Sequence, residues 1–101
     1  MAHSEYLARL DGCVSDEELT TAVNAELARQ RAEIGEAAWQ ALSEDWILDD
    51  LDSIDEIRDS AKELKSDAEA RKKDPNLEAL WSVLDACLRR AREIKDLAAA
   101  A

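Results

Sequence analysis

The residues of this chain that could do chemistry are two cysteines, one histidine and a large number of carboxylates. Cys13 and Cys87 have no CxxC spacing, and no histidine neighbours either in sequence, so neither reads as an activated thiol. Cys87 falls at an apolar position of a helical pattern and reads as small core filler. Cys13 follows Gly12 and is expected in an exposed loop. His3, the only histidine, lies in the terminal stretch. That argues against a catalytic triad, a zinc site and the Glu-x-x-His pattern of di-iron bundles. The run Asp49-Asp50-Leu51-Asp52 lacks the spacing and the glycine of an EF-hand loop. Carboxylates on an open helix face have no apolar pocket to raise a pKa for acid–base work. The residues therefore predict no catalytic site, no cofactor, no metal and no enzyme.

Charge is the chemistry that remains. The chain has 101 residues and a net charge of -11, from 24 acids and 13 bases. Such a chain repels phosphate, which predicts no direct nucleic-acid binding and no anionic membrane surface. Its natural electrostatic partner is a basic protein surface, a nucleic-acid-binding protein being one example. The acidity is concentrated. Residues 44–59 hold eight acids and one base, Arg58, whereas residues 60–101 carry nearly balanced charge.

The elements that must position these charges are helical. Two glycines and one proline are too few for a turn-rich β protein, and no period-two alternation is sustained. The pattern predicts an all-α fold, a single helical domain over 1–101. It would be an antiparallel bundle of three long helices, about 16–42, 44–73 and 75–98, plus a short N-terminal helix from Ser4. Ser15 with Glu18 forms a capping box for the first long helix. Leu19, Val23, Leu27, Ile34, Ala37 and Ala41 would be its buried stripe, with Gly35 tolerated on the outer face. Asp74-Pro75 is an N-cap followed by proline at N1, and it starts the last helix. There Leu77, Leu80, Leu84, Cys87, Ala91 and Ile94 make heptad steps. No apolar run approaches a membrane span, and nothing near Met1 resembles a signal peptide, so the expected location is the cytoplasm.

As one helix, residues 44–59 would place Ile47, Leu51, Ile54 and Ile57 on one side. Asp45, Asp49, Asp52, Asp55, Glu56 and Asp59 would lie on the other. The net charge would then run at about one per 3.4 Å, the spacing of phosphates along one DNA strand. Asp50 breaks the pattern by falling on the apolar side. That conflict is relieved if the helix stops near 50–53 and restarts at the box Ser53-Ile54-Asp55-Glu56. Leu48, among the acids, would be an apolar anchor. Trp39 lies opposite its stripe and would be a contact residue too, unless a bend at Gly35 turns it inward.

These features predict a non-catalytic acidic protein-binding module. The residues expected to meet the partner are Asp45, Leu48, Asp49, Asp52, Asp55, Glu56, Asp59 and Trp39. An inhibitor or decoy that covers a basic site, of the anti-CRISPR-like or antitoxin-like kind, has these physical demands, including nucleic-acid mimicry. The alternative is a structural homo-oligomeric bundle, adaptor or chaperone, such as a homodimer, associating through the apolar heptads of the last helix.

Overall fold

The computed structural model describes residues 2–44 and 51–100. Asp45, Leu48 and Asp49, with Trp46, Ile47 and Asp50, lie outside the described residues. The chain is all-α, with six helices among the described residues where three long ones and a short one are expected. They are α1 (Ala2–Gly12), α2 (Asp16–Ile34), α3 (Glu36–Ser43), α4 (Ile54–Ser66), α5 (Ala68–Lys73) and α6 (Pro75–Ala100).

Four helix starts follow side-chain caps, whereas α1 begins at Ala2, ahead of Ser4, and α3 has no side-chain cap. Ser15 accepts from the Glu18 N–H at 3.3 Å, and Ser53 from the Glu56 N–H at 3.2 Å. Asp67 accepts from the Ala70 N–H, and Asp74 from the Asn76 N–H, both at 3.0 Å. Each satisfies a donor that a helix start would otherwise leave unpaired.

The expected 16–42 helix is broken at Gly35, whose φ of 94° and ψ of 153° lie in a region open essentially only to glycine. The break turns the following helix over. Trp39 is 1% exposed and Leu42 is buried, while Ala37 and Ala41, expected inside, are exposed. Trp39 is therefore a core residue, and its expected role as a partner contact is corrected. The helix gives way because its backbone loses little there. The Gly35 N–H still reaches Arg31 O and the Trp39 N–H reaches Gly35 O, while an indole with some 150–250 Å² of surface leaves water. Arg31 on α2 bridges the bend to Glu36 on α3. Its guanidinium also lies 6.0 Å from the centre of the Trp39 ring. Hydrogen bonds from Arg31 and Gln40 hold the Glu36 carboxyl down at about 2. This pairing contributes stability above the ordinary carboxylate pKa and loses it as pH falls toward 2.

A Cβ at Gly35 would meet nothing within 4 Å. Gly35→Ala therefore isolates the backbone cost, expected at about 1–3 kcal/mol. Denaturant titration should show that loss, and an unchanged midpoint would contradict the assigned backbone.

The expected 44–73 helix is also interrupted. Leu51 to Ser53 are not helical, as the alternative restart at Ser53 requires, and a second break falls at Asp67. The uninterrupted acidic rod over 44–59 is thus corrected: from Leu51 onward, helix begins only at Ile54.

α6 is the spine, packing against α1, α2, α4 and α5. Leu80, Val83, Leu84 and Cys87 are at most 1% exposed, together with Leu19 and Val23 of α2, Ile57 and Leu64 of α4, and the non-helical Leu51. The first heptads of α6 are therefore spent inside the chain and are not a free seam for oligomerisation. α1 is held to α6 by polar contacts. The Tyr6 hydroxyl donates to Val83 O at 2.7 Å, and Arg90 donates to the backbone oxygens of Leu10, Asp11 and Cys13, each at 3.0 Å. Cys13, expected exposed, is buried at 4%. The Arg90 contact folds the end of α1 over it.

Candidate partner-binding surface

Two elements fix where α4 starts. The side chain of Asn24 on α2 donates to Leu51 O at 2.9 Å and accepts from the Leu51 N–H at 3.3 Å. This pairs both backbone groups of a non-helical residue and places the start of α4 against α2. Glu56 then reaches back, its carboxylate accepting from the Asp52 N–H at 2.9 Å. Asparagine is a poor helix-interior residue. At position 24, amid the apolar stripe of α2, that mismatch is the sequence signal for the clamp.

The sides of α4 differ in character. Ile54, Ile57, Ala61 and Leu64 are buried, at the three- and four-residue steps of one helix face. On one flank Glu56, Asp59 and Glu63 follow the same steps, and Asp52 precedes them beside Glu56. All four are exposed, and none has an ion pair with a lysine or arginine among the described residues. On the other flank lie Asp55, Arg58, Lys62 and Lys65, and there Arg58 pairs with Asp55 at 2.8 Å.

The expected site is therefore redistributed. Asp52, Glu56 and Asp59 are exposed together, as expected. Asp55 is exposed but engaged by Arg58. Trp39 is in the core, and Asp45, Leu48 and Asp49 are outside the described residues. Glu63 is an addition to the expected set. Extending the helical projection one turn past residue 59 brings it into the stripe.

Along its other flank α4 borders a groove of about 1060 Å³ shared with α6 and the start of α2. Trp81, Leu88, Ala91 and Ile94 form apolar lining, with Lys62, Lys65, Arg92 and Lys95 around them and Asp16, Glu17 and Asp52 at the start of α4. The guanidinium of Arg71 packs over Trp81 at 4.4 Å from the ring centre and bonds Glu78 at 3.3 Å, closing the turn between α5 and α6.

The thiols are protected rather than activated. Burial, followed by the nearby Cys13 and Asp16, pushes Cys87 up to about 12. Cys13 is also raised, mainly by burial. Both stay protonated at neutral pH, the wrong state for a nucleophile. Glu26, buried at 6%, is held by Arg29, whose Nε donates at 2.7 Å. Among the described residues no group of three or more His, Cys, Asp or Glu gathers to hold a metal ion, and no helix is long and apolar enough to cross a membrane. Comparison with protein-family models, curated proteins and solved structures finds no match.

Proposed function

We propose that this protein is a non-catalytic acidic binding module whose α4 flank docks on a basic surface of another protein. The observation that carries the reading is the stripe Asp52, Glu56, Asp59, Glu63: four exposed carboxylates at helical spacing, without cation partners among the described residues. Seven other carboxylates, Asp55, Glu36 and Glu26 among them, are ion-paired among the described residues; further acids are not, and what sets the stripe apart is its four charges along one flank of one helix. A cationic surface meeting this stripe gains Coulomb energy without first displacing a lysine or arginine of the described residues. Inhibition of a nucleic-acid-binding protein by occupying its basic groove is the activity this surface suits best, because such a groove presents cations to a line of anions.

The test is affinity capture from the native host on two columns, one bearing the wild-type chain and the other Asp52→Asn/Glu56→Gln/Asp59→Asn/Glu63→Gln. The amide introduced by Glu56→Gln keeps an oxygen for the reach-back bond of the capping box, so the fold is retained. A protein held by the first column, released by salt and absent from the second is the expected result. Equal retention on both columns would remove the stripe as the binding surface.

A further inference from the structure

We infer that the groove between α4 and α6 is a self-association surface, in which the grooves of two copies face each other across a two-fold axis.

Most of the cations without an ion pair among the described residues gather in this groove. Six of the thirteen lysines and arginines form ion pairs among the described residues. Of the other seven, Lys62, Lys65, Arg92 and Lys95 line this one groove. A chain with net charge -11 thus gathers most of its unengaged positive charge on a single concave surface.

The groove flank of α4 is self-complementary in charge. Along α4 the charge changes sign lengthwise. Asp52 stands at its start, beside Asp16 and Glu17 of α2, and Lys62 and Lys65 lie in its last two turns, roughly 15 Å further along the axis. A two-fold axis across the helix lays the acidic end of one copy on the basic end of the other and repeats the match at the second end. Isologous interfaces require such a pattern.

The groove also leaves apolar area open. α6 has 26 residues against 13 for α4, about 39 Å against about 20 Å, so α4 alone does not cover the groove side of α6. Leu88, Ala91 and Ile94, which line the groove, are only partly buried, and Ala98 beside them is exposed. The small Ala91 and Ala98 let a second helix approach closely. The acidic stripe stays outside this surface except at Asp52, because Glu56, Asp59 and Glu63 do not line the groove. The inference therefore does not depend on the proposed function.

Sedimentation equilibrium from micromolar to millimolar protein tests it. The wild-type chain should show a reversible monomer–dimer equilibrium. Lys62→Glu/Lys65→Glu should weaken it roughly 100-fold, since like charges facing each other are costly. Asp16→Lys/Glu17→Lys should weaken it likewise, and an equimolar mixture of the two variants should form a heterodimer close to wild-type affinity. All four positions are exposed, and circular dichroism checks that each variant is folded. A wild-type chain that stays monomeric at every concentration overturns the inference. So does a dimer indifferent to either charge reversal, or two weakened variants that fail to rescue each other.

Discussion

Trp39→Ala should destabilise the chain by about 3–5 kcal/mol, the largest single-residue loss expected in this molecule. The indole is 1% exposed and lies on α3, a helix of eight residues, too short to be stable by itself in water. Trp39 and Leu42 are the only buried residues of α3. Removing the ring therefore takes away most of the reason for α3 to dock as well as leaving a cavity. Total stability of a chain this size is commonly about 5–15 kcal/mol, so the variant should lose a large share of it. Urea unfolding followed by circular dichroism measures the loss, and Trp39→Phe should recover a substantial part. A variant within about 1 kcal/mol of wild type would mean that Trp39 does not belong to the core.

Arg90→Ala should cost about 3 kcal/mol and release α1. One guanidinium donates to three backbone oxygens at the end of α1 while bonding Glu93 at 3.1 Å. The Leu10 oxygen also accepts from the Cys13 N–H at 3.0 Å, within the turn itself, whereas the Arg90 bonds tie that turn to α6. Hydrogen bonds from a charged donor are the stronger class. Arg90→Lys should rescue little, because an ammonium cannot reproduce the planar fork. A second readout separates local release from global loss. Cys13 is covered in the native chain, so the alanine variant should let a thiol reagent modify Cys13 well before Cys87. Equal protection of Cys13 in variant and wild type would contradict the anchoring role.

Helix class, caps and most core positions are legible in the sequence because their causes are local. Ser15, Ser53 and Asp74 each carry their own capping chemistry, and the apolar steps of α6 follow helical period whatever packs against them. The breaks are harder to read, for different reasons. Gly35 alone is ambiguous, since a helix tolerates glycine at a cost of about 1 kcal/mol. What decides the bend is the burial of Trp39 four residues later. Asp67 breaks the next helix with an ordinary aspartate and no glycine or proline, and only its side-chain bond to Ala70 marks it. Cys13 reads as exposed because it follows a glycine, and the residue that ties its backbone to α6, Arg90, is 77 positions away. The basic residues of α6 look alike in sequence. In the fold Arg90 is structural, Arg89 pairs with Asp85 at 2.9 Å, and Arg92 and Lys95 line the groove without an ion pair among the described residues.

The acidic site is half legible for the same reason. Counting acids finds the dense segment, but the count cannot distinguish a carboxylate already engaged from one that is free. Asp55 and Asp59 sit in the same helix, four residues apart. Asp55 is bound to Arg58 and Asp59 has no such partner among the described residues, because Arg58 turns toward the groove flank. Engagement of this kind depends on rotamers and neighbouring helices, which spacing alone does not give.

The most direct measurement is titration of the captured partner with wild-type chain and with the four-carboxylate amide variant across a range of salt concentrations. Wild-type affinity should fall steeply as salt rises, and at low salt the amide variant should bind roughly 100-fold more weakly with a much flatter salt dependence. Matching affinities and matching salt slopes for the two proteins would contradict a charge-directed role for this flank of α4.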